Sequence, residues 1–530
     1  IDLSKLAISL DDLQLDNTLV KVVMDKTEQS AVAAKEIGEL AEAQVNNPWQ
    51  FSLENISFNN NELQFENNND PVLKTGVDYS HLHIRDFNMQ GDRLDFTPTI
   101  FKGNISNLSF TEKSGLNLKK LQTGFQYSDQ QVSLQNLLVQ TDKSFIKSNL
   151  QVTYPSLYVL QKNTGEAYIN TNLDNCSIAV KDILLFAPAF GTSLKNYSGA
   201  VININAVAKG YIKNINIASF EVNGLGTASL NMQGNIKGLP DAKSAYYDLQ
   251  LRRLMVSRKD LINLLPANTL PASVRVPEKA ELTGYFKGSY NNFSSQANLK
   301  SSNGDVAVKG NASLTKESYH AEVIMRNANI GYILKQDSLL GNISGEVAIT
   351  GSGFNYKKMN TNLTVHLLDA EIKNYHYKDV NLVAILKDDS AMIESFANDP
   401  NINYKLHAEA NLKNAYPAVQ FQLTADTINL HALHLVKDSI KFSGIMYGDF
   451  LNTNPDTLEG ALHIANAVIN YNGRSITTDS LALIASRPGD SIQLISLVAE
   501  MAKMKLEGQY KLTEMATALQ HTINKYYHIP

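Results

Sequence analysis

The sequence predicts a mainly β protein: a tall stack of one-sided strands with a few short helices and one longer helix near residues 25–45. Three observations carry this. The runs AVININAVAKG (Ala200 to Gly210) and SGEVAITGSG (Ser344 to Gly353) alternate apolar with small or polar residues, the period of a strand with one greasy and one wet face. Similar runs fill most of the chain, several entered through a glycine, as at Gly199, Gly284, Gly345 and Gly444. Charged residues are 19% of the 530, below the roughly 25% of ordinary soluble domains, which fits half-buried strands better than a solvated tail.

Residues 1 to about 24 read as two strands. The period then changes: DKTEQSAVAAKEIGELAEAQ (Asp25 to Gln44) is rich in Ala, Glu, Lys and Gln, with Asp25 and Glu28 placed as a capping box, which predicts the long helix. From Phe51 to Val180 strands such as FSLENISF and VSLQNLLVQT are separated by Asn-rich turns, NNN at Asn59 to Asn61 and NNND at Asn67 to Asp70. The chain so divides into an N-terminal β segment, 1–180, and a segment 181–530 in which a short helix, a glycine-entered strand and a meander recur. The short helices are expected near Asp182, Asp260, Ile330 and Leu430 and at TEMATALQHTINKYY, lying as lids or corner pieces across a sheet edge or end. The spacing is longer and less regular than that of the named solenoid families.

The net charge of −5 supplies no basic field for phosphates, so nucleic acid is not an expected partner. The sole cysteine, Cys176, excludes an internal disulfide and a thiolate zinc site. No stretch approaches the roughly 18 apolar residues of a membrane-spanning helix; the longest candidate, ILLFAPAF (Ile183 to Phe190), is far shorter. The chain opens at Ile1 in mid-pattern and reads as a piece of a longer protein.

Reactive motifs are sparse. There is no Gly-x-Ser-x-Gly elbow, phosphate loop or dinucleotide fingerprint in a strand–helix context. His81 and His83 with Asp86 nearby could in principle hold a metal, but two imidazoles at i and i+2 are a weak signal and a solvent-facing strand edge is the favoured explanation. His431 and His434 lack the Glu between them that a metalloprotease helix needs. Asp11–Asp12 and Asp388–Asp389 read as turn residues, because strand neighbours face opposite ways whereas acids sharing a proton must face each other. Tyr526, Tyr527 and His528 fit the docking of a terminal helix. The expectation is therefore no enzyme, no cofactor and no metal. An ordinary β-sandwich, which hides the same alternation against a second sheet, stands as the structural alternative.

Three stretches, DILLFAPAFGTSLKNYSGAVININAVAKG (Asp182 to Gly210), LPANTLPASVRVPEKAELTGYFKGS (Leu265 to Ser289) and MKLEGQYKLTEMATALQHTINKYY (Met504 to Tyr527), share an order of short helix, Pro-containing link and glycine-entered strand. In this the chain resembles the AsmA-like family of Gram-negative envelope proteins, which includes TamB, especially the long Bacteroidetes versions. The resemblance runs from about residue 180 onward. It implies an elongated, strongly curved antiparallel β-sheet forming an apolar groove that shields phospholipid or other acyl chains as they cross the periplasm between inner and outer membranes, in support of outer-membrane biogenesis. It also implies a parent protein anchored in the inner membrane through regions outside this chain and, for some members, an outer-membrane partner protein. The expected lining is Ile202, Ile204, Leu230, Met232, Leu282, Phe286, Val323, Met325, Val347, Ile349, Leu363, Val365, Leu367, Leu462 and Ile464. Two other readings compete: a structural or adhesive surface β-stack with a closed core, and a carbohydrate-active β-helix. The latter needs converging carboxylates and an even coil length, and the turn spacing here is uneven.

Overall fold

A computed structural model describes residues 6–25, 49–265, 269–355, 359–489, 492–500, 502–515, 517 and 521. Residues 26–44 of the helix expected over Asp25 to Gln44 lie outside the described residues, as do Tyr526, Tyr527, His528 and most of the C-terminal helix; the first turn of the latter, 512–515, is helical. The protein is mainly β. It divides into two compact units, one of Ile1–Leu270 with Glu278–Tyr290, the other of Pro271–Pro277 with Asn291–Pro530. The boundary expected at residue 180 falls inside the first.

In the first unit, strands Ala7–Asp16 and Leu19–Met24 lie end to end, both parallel to the 18-residue strand Gln50–Asn67: Ala7 is opposite Gln50 and Met24 opposite Asn67. From Gln50–Asn67 to Lys279–Ser289 every strand pairs antiparallel with the next. The second unit repeats this plan from Asn292–Ser301 to Ala502–Gly508. Among the described residues no pairing joins the first and last strands of either unit, so neither closes into a barrel.

Tight turns explain the meander. Lys373–Asn374, Asp388–Asp389 and Asn472–Gly473 carry two consecutive positive φ angles, the two-residue turn whose twist matches flanking strands. Asp388 and Asp389 are thus turn residues, as expected. Asp11 and Asp12 are not: they sit exposed within Ala7–Asp16.

The Asn-rich text has a second use. Asn59 to Asn61 does not reverse the chain but lies inside Gln50–Asn67, where Asn60 (φ +54) makes a bulge in the pairing. Asn136, Asn175 and Asn327 do likewise, at φ between 47 and 51°. In each case the bulged N–H donates to a side chain of the next strand: Asn60 to Asn88 Oδ1 (2.9 Å), Asn136 to Asn149 Oδ1 (2.8 Å), Asn175 to Asn205 Oδ1 (2.7 Å) and Asn327 to Ser344 Oγ (2.9 Å). Asparagine tolerates left-handed backbone, and the side-chain acceptor satisfies the N–H that a bulge removes from the ladder.

Short helices occur at Val180–Phe186, Arg258–Leu264 and Ile330–Leu334, near three of the expected sites, and an unexpected one at Leu157–Lys162. The segment near Leu430 is a turn: Asn429 Oδ1 accepts from the Ala432 N–H, and left-handed His434 (φ +58) ends it before a helix can propagate. Gly284, Gly345 and Gly444 lie within their strands rather than at the entrances.

Candidate functional site

The pairing registers place side chains of successive strands in rows, since directly opposed residues share a face. In the second unit one row crosses thirteen strands: Ala297, Val308, Val323, Val347, Val365, Leu382, Ser395, Leu406, Leu423, Met446, Ile464, Leu481, Ala499. Its one polar member, Ser395, is buried, donating to Asn381 O (2.9 Å) and paired with the Tyr404 hydroxyl (2.8 Å). Two residues along each strand, on the same face, runs Ala321, Ile349, Leu363, Ala384, Ile393, Ala408, Phe421, Gly448, Leu462, Leu483, Leu497. On the other flank Met325 and Leu367 both oppose Gly345. All nine expected lining residues of this unit therefore lie on one face.

In the first unit Cys176, Ile204, Val222, Leu230, Leu254 and Leu282 form a row. Met232 belongs to the next row, between Phe220 and Leu251, and Phe286 to the one after, opposite Leu249. Ile202 pairs with Ile178 on this same face. A further row reaches back where sequence reasoning named no lining residue: Phe51, Phe96, Phe101, Tyr127, Val132, Val152, Ile169.

Glycines punctuate this face. Gly234 has φ +149, and a Cβ there would lie 2.1 Å from Asp248 O, so no larger residue fits. A Cβ at Gly448 would meet the Phe421 ring at 2.2 Å.

Fourteen of the fifteen expected residues are half-buried, and Ile202 is buried. Within each unit the described strands belong to one continuous hydrogen-bonded sheet, so two separate sheets clamped face to face, the sandwich alternative, do not describe either unit. Among the described residues the largest fully buried side chains are Leu433, Val180 and Cys176, which is not the Leu/Ile/Phe core that two facing sheets need. Ile202 owes its burial to a local lid: Val180, Tyr197 and Ile202 form a small core with Ile183, Leu184, Leu194 and Leu264 from the short helices.

The other face of the second unit is mixed and more exposed: Glu322, Thr364, Glu394, His407, Gln422, Tyr447 and His463 project there, together with Ile324, Val383, Phe396, Ile445, Ile484 and Val498.

No Asp, Glu, His, Lys or Arg stands in these apolar rows. His81 is buried against Asp78 (3.1 Å), not solvent-facing, while His83 bonds Glu62 (2.7 Å); the two rings serve separate carboxylates. Among the described residues no three His, Cys, Asp or Glu converge as metal ligands. Two buried acids anchor the short helices. Asp182 accepts from Thr141 (2.6 Å) and Ser144 (2.5 Å). Burial pushes the Asp260 carboxyl up, but hydrogen bonds from Ser257, the Thr227 N–H and hydroxyl, and Tyr197 outweigh it and hold it well below the usual carboxylate range.

The residues that complete the rows, such as Leu382, Leu406, Leu423 and Met446, escaped sequence reasoning for lack of a register. Those across bulges escaped because parity slips: in YYDLQLRRLMVS the face carries Leu249 and Leu251, then Leu254. An Asn or charged pair where apolar spacing jumps from two to three is the signal. No protein-family model, curated protein or solved structure matches the chain.

Proposed function

We propose that the Val/Leu/Ile face of each unit is the wall of an apolar groove that shields acyl chains, and that the protein carries phospholipid or another acyl lipid across the periplasm between inner and outer membranes without catalysing a reaction. The observation that carries this reading is the thirteen-strand row from Ala297 to Ala499. At a strand spacing of about 4.8 Å it amounts to a path of nearly 60 Å.

The energetics favour such a surface. Each methylene kept from water is worth roughly 0.8 kcal/mol, so an unshielded acyl chain in an aqueous gap costs on the order of 10 kcal/mol. A continuous apolar wall lowers that barrier through facing alone, and a single charged interruption would restore part of it. A single-layer sheet also keeps the wall open along its length, which a sandwich core cannot. Attachment to the inner membrane and an outer-membrane partner would reside in regions outside this chain.

Solvent extraction of the purified protein followed by mass spectrometry tests the reading. Phospholipid retained through purification supports it. Protein free of lipid, with acyl probes unable to bind, would favour the structural or adhesive stack.

A further inference from the structure

The longest apolar run of the sequence, residues 183–190, is divided by the fold. Ile183 and Leu184 turn inward onto the Val180–Tyr197–Ile202 core. Phe186 and Phe190 turn outward. Beside them runs the 71–80 loop, pinned where the Val77 N–H donates to Leu185 O (2.9 Å) and where Gly76 approaches Leu185 O and Pro188 too closely for a side chain. This loop presents Val72 and Leu73. The four outward side chains are 55 to 67% exposed. Large apolar groups on a loop and the short helical segment it adjoins differ from the scattered single exposures of an ordinary surface and mark an interaction site.

The charges select the partner. Each segment contains one acid, and each is withdrawn from the surface: Asp78 is 3% and Asp182 5% exposed. Asp78 accepts from the Leu73 N–H (2.8 Å) and meets His81, while Asp182 is bonded by Thr141 and Ser144. Asp70, at the foot of the loop, is occupied by Asn67 (2.8 Å) and the Ser80 hydroxyl (2.6 Å). The charged groups these segments show to solvent are Lys74, Lys181 and Lys195. Lys181 shares Asp142 with Lys119, two cations to one acid. Apolar side chains flanked by lysines, with the acids turned inward, are what partitions into the interface of an anionic bilayer: rings and aliphatic groups enter the headgroup boundary while ammonium groups meet phosphates.

We propose that the 71–80 loop and residues 180–195 form a docking tip for an anionic lipid surface. The tip uses residues other than the groove wall and stands independently of it.

Flotation of the full chain with vesicles of phosphatidylcholine, with and without phosphatidylglycerol, tests this. Wild type should float with the anionic vesicles. Phe186→Ser with Phe190→Ser should reduce the bound fraction roughly tenfold, and Lys74→Glu with Lys195→Glu should abolish the preference for phosphatidylglycerol. Both pairs should melt as wild type does, since these side chains are solvent-exposed. Wild type that floats yet carries no co-purifying lipid supports the tip while removing the groove. The proposal is overturned if wild type fails to float, if the Phe pair floats unchanged, or if the Phe pair instead abolishes self-association of the chain, which would make the patch an interface between copies.

Discussion

A charge placed in the middle of the long row separates a groove wall from a filled core. Val347 lies between Val323 and Val365 and is half-buried. In Val347→Glu an acyl chain crossing that strand loses contact over about 4.8 Å, the length of roughly four methylenes. At about 0.8 kcal/mol each, that is on the order of 3 kcal/mol, or roughly a hundredfold in occupancy. The carboxylate itself extends into an open trough, so the fold should lose no more than about 1 kcal/mol and a few degrees of melting temperature. Lipid retained after purification, quantified by mass spectrometry beside a thermal melt, reads both effects. Thr364→Glu, on the polar face one strand away, is the control and should change neither. Wild-type lipid content in a normally folded Val347→Glu would refute the groove, and so would unfolding of the variant, since that is what an unpaired charge in a packed core causes.

Further outcomes concern the fold. At Asn327, whose φ is +47°, Gly should be tolerated to within a few tenths of a kcal/mol, whereas Val should cost about 2 kcal/mol by chemical denaturation. Asp260→Ala, which strands the Thr227, Ser257 and Tyr197 donors, should destabilise the first unit by about 3 kcal/mol. Because the Asp260 carboxyl is held low in the folded protein, its contribution is fully present above the ordinary carboxylate pKa and fades as pH falls below about 4. Asp260→Asn should therefore show a shallower acid limb in melting temperature against pH. Burial and the Asp399 hydrogen bond push the Tyr375 phenol up to about 12, so a spectrophotometric titration should show a late-ionising tyrosine component that shrinks by one residue in Tyr375→Phe.

The alternation that defines a strand was readable residue by residue: Ala321, Val323 and Met325 in HAEVIMR, Leu363, Val365 and Leu367 in NLTVHLL, and Leu230 and Met232 in LNMQGNI each share a face, although Ile324 turns to the other one. Register was not readable, because which residue opposes Val347 depends on every turn between strands. Bulges hid a second layer, since Asn60 and a turn asparagine have the same left-handed backbone and the same local text. The Leu430 segment misled for a related reason: its apolar spacing suits a helix, but capping by Asn429 and reversal at His434 close it within one turn. Mid-strand glycines read as strand starts because a gap in side chains resembles a boundary in one dimension; across strands Gly234 and Gly448 are close approaches instead.

The most direct measurement is photo-crosslinking in cells, with a benzophenone amino acid placed one at a time at Val347, Leu406 and Ile464 along the row and at Thr364, Glu394 and His463 on the opposite face. Lipid adducts confined to the first three positions are the expected result. Adducts at none of the six, or equally on both faces, would contradict the groove.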